Sequence, residues 1–155
     1  MIQRIQTLYL LLVVALMAVV NFFPLVMFRV MDGMYVMTST KVYATLEAEQ
    51  FDFADYWCKL LPVFSVITIA IAVAAIFSYK NRIRQMRYCI YAILTILVYY
   101  GCFGMQVWSV YKATEAMPLP TLIAQLPLIS IVILFLAGRA IKRDEDLVRS
   151  TDRIR

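Results

Sequence analysis

The chain has 155 residues, of which 63% are hydrophobic and 16% are charged, and its formal net charge is +5. A soluble domain of this length does not need so much apolar surface, so the composition indicates a membrane protein. The excess of cations does not indicate nucleic acid, because most Lys and Arg residues adjoin apolar runs. The absence of histidine excludes imidazole metal sites, and three scattered cysteines without a CxxC pair indicate no disulfide framework.

Four apolar runs are long enough to cross a bilayer and predict one all-α membrane domain, a bundle of four transmembrane helices. They cover residues 5–27, 60–79, 88–110 and 121–141. The first run lacks an A-x-A cleavage site and exceeds the length of a signal-peptide core, so we interpret it as an uncleaved helix. Proline residues lie in or near the first, second and fourth of these runs.

Each proline in or near a span makes a specific prediction. Pro24 has no amide hydrogen and predicts that the first helix loosens or ends close to it. Pro62 is expected in the first turn of the second helix, where proline is tolerated. Pro127 lies inside the fourth run and predicts a kink.

The polar segment 28–57 separates the first two spans, and its acidic bias is typical of an outer loop. Within it, Asp32-Gly33 lies between β-prone flanks and accepts the positive φ angles of a tight hairpin turn. We therefore expect a small β-hairpin that caps the bundle between the first and second helices. Residues 45–57 combine aromatic and acidic side chains and predict a short helix on the membrane surface.

The basic segment 80–87 fixes the expected orientation. It places four cations between the second and third spans, and cytoplasmic loops carry such an excess of Lys and Arg. Counting crossings from this segment puts eleven of the fifteen Lys and Arg residues on its side. Both chain termini are therefore predicted to lie in the cytoplasm.

The second span carries small side chains at helical spacing, which predicts a close packing face against the third span. The face consists of Ser65, Thr68, Ala72 and Ala75. A polar line in the third span includes Tyr99 and Gln106, and we expect hydroxyl groups to find partners across this interface. A polar conduit or headgroup groove is the alternative, although intramembrane function is usually marked by an ionisable group.

Three amide side chains fall at about the same depth, roughly 6 to 9 Å below the outer surface at 1.5 Å per residue. These are Asn21, Gln106 and Gln125. They suggest a shallow polar pocket open to the outside. The alternative is that amides near an interface simply stay hydrated.

The tail, residues 142–155, mixes charges of both signs. Glu145 and Arg149 are spaced i,i+4, so the fourth helix is expected to continue for a turn or two. One interpretation of the tail is a solvated, frayed end. The other is a docking element, whose predicted contact residues are Leu147, Arg149, Asp152 and Arg153.

The two ends of the chain resemble those of a family of uncharacterised four-helix membrane proteins of the Bacteroidetes. The resemblance rests on the opening MIQRIQTLYLLL and the closing DEDLVRSTDRIR, and it extends over the whole chain. It implies a four-helix fold and a bacterial inner-membrane location. It implies no activity, ligand or catalytic residue.

Three classes of function follow from these features. An enzyme is not expected, because the chain lacks GxSxG, HExxH and a phosphate-binding glycine loop, and neither a metal nor another cofactor is expected. A small transporter similar to the four-helix multidrug exporters would need a membrane-embedded carboxylate, where this chain has Asn21. We therefore predict an accessory or structural subunit that contacts the lipid bilayer and a protein partner or a second copy. A small transporter or a lipid- or solute-binding membrane protein is the alternative.

Overall fold

The computed structural model describes residues 3–30, 33–44, 55–79 and 81–152. These residues contain four long helices: α1 (Gln3–Phe22), α2 (Asp55–Phe77), α3 (Arg82–Thr114) and α4 (Leu126–Asp152). Each includes a segment long and apolar enough to cross a membrane. The prediction of four long apolar helices is confirmed.

The helices form a ring-like bundle in which α1 packs against α2, α2 against α3, α3 against α4 and α4 against α1. At most 33% of the residues in each helix's apolar segment are buried, so most of these residues keep part of their surface exposed. The exposed apolar side chains include Leu8, Leu11, Val66, Leu94, Val132 and Phe135. An apolar belt of this kind is suited to contact with lipid chains.

A small antiparallel sheet of four strands extends the predicted two-stranded hairpin. Its strands are β1 (Val26–Val30), β2 (Gly33–Met37), β3 (Val42–Ala44) and β4 (Met117–Pro120), in the order β3-β2-β1-β4. β4 comes from the connection between α3 and α4 and pairs with β1. It contains two prolines, which a sheet tolerates in an edge strand because one side of that strand needs no ladder hydrogen bonds.

The predicted hairpin is present, but its turn lies one residue earlier than expected. Val30 pairs with Gly33, so residues 31 and 32 connect the strands and Gly33 belongs to β2. The prediction had placed Asp32-Gly33 at the centre of the turn. Residues 31 and 32 lie outside the described residues, and so do residues 45–54, which include most of the predicted surface helix.

The first two helices differ from the predicted spans at their ends. α1 ends at Phe22, shortly before Pro24, as the missing amide hydrogen of proline predicts. α2 already begins at Asp55, so Pro62 lies inside the helix and not in its first turn. The polar residues before the apolar run therefore extend this helix beyond the predicted membrane segment.

The last two helices are also longer than predicted. α3 begins at Arg82, so most of the basic segment forms the first turns of a helix and not a loop. A 3₁₀ turn at Leu122–Gln125 precedes α4, which makes Pro127 the second residue of that helix. A proline kinks a helix because it lacks the amide hydrogen that would bond to an earlier carbonyl oxygen. The first amides of a helix have no intrahelical acceptor, so Pro127 removes no helix hydrogen bond at this position.

Two apolar clusters fill the bundle. The first joins the helices to the sheet and includes Val20, Phe28, Met37, Leu61, Tyr99 and Val110. The second lies farther from the sheet and includes Leu10, Val13, Ala72, Ala92, Ile96 and Leu134. We call the end of the bundle that carries the sheet the sheet end, and the end that carries Arg82 and Asp144 the basic end.

Candidate functional site

A hydrogen-bonded polar cluster, formed by Asn21, Ser39 and Ser65, ties α1 and α2 to the sheet. The amide nitrogen of Asn21 donates to Ser65 Oγ at 2.8 Å and to the Met17 carbonyl oxygen at 3.1 Å. The Ser65 hydroxyl donates to the same carbonyl oxygen at 3.2 Å, and the Ser39 hydroxyl donates to Asn21 Oδ1 at 3.3 Å. Both serines are fully buried, so the cluster helps to hold α1, α2 and the connection between β2 and β3 together.

The three amides of the predicted outer pocket differ in burial and in hydrogen bonding. The hydrogen bonds of Asn21 go to the polar cluster and to Met17. Gln106 is fully buried on α3, whereas Gln125 is exposed in the 3₁₀ turn. The predicted pocket that the three amides share stays a prediction.

The predicted packing face of α2 is buried at all four positions. Ser65, Thr68, Ala72 and Ala75 are each at most 1% exposed. The face does not point at α3 alone, because the Ser65 hydroxyl reaches Met17 of α1. The Thr68 hydroxyl donates to its own helix, at the Phe64 carbonyl oxygen, and so does not bond across the interface as expected.

Tyr100 on α3 forms hydrogen bonds with the backbone at the start of α4, a contact that the sequence did not indicate. Its hydroxyl donates to the Ala124 carbonyl oxygen at 2.8 Å and accepts from the Leu128 amide at 3.1 Å. These two backbone groups are an i,i+4 pair, so the tyrosine hydroxyl lies between a donor and an acceptor of the helix ladder. This contact fixes α3 to the junction between the 3₁₀ turn and α4.

At the basic end, Asp144 joins three helices. The amide nitrogen of Gln6 on α1 donates to Asp144 Oδ2 at 2.8 Å, and Asp144 is only 7% exposed. The guanidinium of Arg82 on α3 donates to the Asp144 carbonyl oxygen at 2.8 Å. One of the two sequence interpretations had placed Asp144 in a solvated tail. Asp144 follows Ala137 and Ile141 at helical spacing, and both of these residues are buried on the same side of α4. This spacing could have indicated that Asp144 is buried as well.

α4 then continues to Asp152 without interruption. The helix extends eleven residues, about 16 Å or three turns, beyond the predicted end of the span at Ile141, which is more than the predicted turn or two. We call residues 145–152 the α4 extension. Leu147 and Val148 are 50% and 44% exposed, whereas the side chains of Arg149, Asp152 and Arg153 lie outside the described residues.

A cavity of about 560 Å³ lies between the α4 extension and the first turn of α3. Its lining residues are Asn81, Arg82, Ile83, Arg84, Glu145 and Val148. We call this cavity the basic cleft, because two guanidinium groups outnumber its single carboxylate. The N-terminus of α3 adds the positive end of a helix dipole to the same place.

The sites described above differ in whether they open outward to another molecule. Among the described residues, no group of three or more His, Cys, Asp or Glu side chains could hold a metal ion. The polar cluster and Asp144 have their hydrogen bonds within the bundle, whereas the basic cleft opens outward with charged and apolar groups together. The cleft is therefore the strongest candidate for contact with another molecule.

The model of a protein family, described as Domain of unknown function (DUF4293), matches residues 2–154. No curated protein matches the chain.

Proposed function

Because the chain belongs to the DUF4293 family, whose description names no activity, we propose a function from its own surfaces. The protein is a non-enzymatic accessory subunit of a membrane complex. It binds a partner protein through the basic cleft and the α4 extension. A partner for this place is a segment that combines acidic with apolar side chains.

The proposal includes an orientation in a bacterial inner membrane, with both termini and the basic end in the cytoplasm and the sheet end outside. Arg82, Arg84 and Arg87 open α3 at the basic end, and the cations of α4 lie at the same end. Anionic lipid and the cost of moving cations across the membrane favour this placement. In this orientation the basic cleft faces cytoplasmic proteins.

The observation that carries the proposal is the combination of exposed apolar and cationic side chains in the basic cleft. Ile83 and Val148 are 47% and 44% exposed, and both line the cleft beside Arg84. Lipid chains can cover exposed apolar residues within the membrane, but they cannot cover residues beyond the headgroups. An apolar pair at a hydrated end of the molecule is typical of a protein-binding surface.

A transporter fits the interior less well. Of the carboxylates whose side chains the structure describes, Asp144 is the one that is buried, and it lies at the basic end. Between Asp144 and the polar cluster, the bundle is filled by the apolar second cluster, which includes Val13, Ile96 and Leu134. Such a layer opposes the passage of a polar solute, because the solute would lose its hydration without gaining polar partners.

Site-specific photo-crosslinking in native membranes tests the proposal. A crosslinking amino acid replaces Val148 in the cleft or, as the matched control, Phe77, which is 77% exposed at the end of α2 that leads to the basic end. We expect one dominant protein adduct from position 148 and not from position 77. Introducing Ile83→Asp should reduce the adduct, since it places a charge against the apolar part of the partner.

Two results would refute the proposed subunit role. One is the absence of a protein adduct from position 148 while the protein is present at normal abundance in the membrane. The other is an equal set of adducts from positions 148 and 77, which would indicate random collisions at the membrane surface.

A further inference from the structure

A groove on the outside of the bundle, between α3 and α4, suggests a second kind of binding. Its volume is about 360 Å³. Most of its wall is apolar and is formed by Met86, Cys89, Ile93, Leu134 and Phe135. Gly138 also lines the groove, and a Cβ atom added there would meet no atom within 4 Å. The groove is therefore open at this glycine.

Two cations lie at one end of this groove. Arg139 and Lys142 both line it, are one helical turn apart on α4, and are exposed. None of the described residues that line the groove is acidic. The groove between α1 and α4 is less suitable for an anion, because Asp144 lines it together with Arg139 and Arg143.

We propose that the α3–α4 groove binds one anionic phospholipid. The phosphate lies between Arg139 and Lys142, and an acyl chain follows the apolar wall of the groove. A guanidinium can hold phosphate oxygens with two parallel hydrogen bonds, and an ammonium adds a compact charge. Basic pockets between membrane helices are a known chemistry for lipid headgroups.

The position of the cations along α4 agrees with this occupant. The apolar segment that includes α4 begins at Leu122. At 1.5 Å per residue, Arg139 and Lys142 lie about 25 and 30 Å from that residue. A hydrocarbon core about 30 Å thick therefore places both side chains at its boundary, where the phosphates of one leaflet lie.

Charge complementarity favours a lipid over a partner helix. Phe135 and Ile90 lie beside the groove and are 64% and 52% exposed, so an apolar occupant is expected along this part of it. An apolar helix would cover these side chains but leave two cations without counter-charges. An anionic phospholipid supplies both an apolar chain and a negative group at the matching depth.

Lipid titration of the purified full-length protein, read by native mass spectrometry, tests the charged part of the site. The probes are phosphatidylglycerol and phosphatidylcholine with the same acyl chains. We expect phosphatidylglycerol to bind more tightly, and Arg139→Gln or Lys142→Gln to weaken its binding about fivefold each. Arg87→Gln removes the same charge from an exposed position outside the groove and should leave the affinity within twofold.

A steric variant tests whether the groove itself holds the lipid. Gly138→Phe fills the groove without changing the charge, and we expect it to lower phosphatidylglycerol binding at least as much as Arg139→Gln does. Gly104→Phe is the matched control, because Gly104 is exposed on α3 outside the groove and also has open space at its Cβ. Gly138→Leu replaces the phenylalanine variant if thermal unfolding shows a loss of fold.

Two outcomes would overturn the proposal. Equal affinity for phosphatidylglycerol and phosphatidylcholine would show that the cations do not select the headgroup. Undiminished phosphatidylglycerol binding in a folded Gly138 variant, together with weaker binding in Arg139→Gln, would show diffuse surface attraction without a seated chain. Failure of the partner crosslink at Val148 would leave this lipid site unaffected, so the two proposals can fail separately.

Discussion

Two adjacent tyrosines on α3 should differ in how much stability they lose when their hydroxyl groups are removed. The Tyr100 hydroxyl makes two hydrogen bonds with the backbone at the start of α4, at 2.8 and 3.1 Å. The Tyr99 hydroxyl is buried and has no hydrogen-bond partner among the described residues. Their rings pack edge to face with centroids 5.9 Å apart, and phenylalanine preserves that packing.

The magnitudes follow from these contacts. A hydrogen bond within a membrane protein contributes about 0.6 kcal/mol on average and up to about 1.7 kcal/mol. Losing both bonds in Tyr100→Phe should therefore lower the free energy of unfolding by about 1 to 3 kcal/mol. Tyr99→Phe removes a desolvated hydroxyl without breaking a bond and should leave stability unchanged or raise it by about 1 kcal/mol.

Unfolding of the purified protein in mixed detergent micelles, with increasing denaturing detergent, measures both variants against the parent chain. Backbone hydrogen exchange at Leu128 provides a local measurement, because its amide donates to Tyr100. We expect faster exchange there in Tyr100→Phe and not in Tyr99→Phe. A loss of stability in Tyr99→Phe as large as that in Tyr100→Phe would refute this reasoning.

Three further predictions use the same unfolding assay or a labelling assay. Ala72→Leu overfills a fully buried position and should lower the free energy of unfolding by about 1 to 3 kcal/mol. Ala70→Leu, on the exposed side of α2, should change it by no more than about 0.5 kcal/mol, and equal effects of the two variants would contradict the packing. Gln6→Leu leaves its buried carboxylate partner without that donor and should cost about 1 to 3 kcal/mol, so an unchanged unfolding curve would contradict the contact. In a cysteine-free background, an impermeant thiol reagent applied to whole cells should label Thr40→Cys but not Arg84→Cys, and the reverse pattern would overturn the orientation.

The features that the sequence determined are those that depend on neighbouring residues in the chain. Hydropathy over about twenty residues predicted four long apolar helices, and Pro24 marked the end of α1 because the effect of a missing amide is local. Periodic small residues identified a buried face of α2, because helical geometry places residues three and four apart on one side. The β-prone flanks of Asp32-Gly33 indicated the hairpin, although not the exact register of its turn.

Tertiary structure decided which distant groups meet. The strand β4 contains two prolines and has little strand signal of its own, so its pairing with β1 depends on how α3 returns to the sheet end. Asn21 and Gln125 have similar depth, yet Asn21 contacts Ser65 while Gln125 is exposed. Asp144 is buried because Gln6, 138 residues earlier in the chain, is brought beside it by the packing of α1 on α4. Local spacing fixes the side of a helix on which a residue lies, whereas only the assembled bundle fixes what that side contacts.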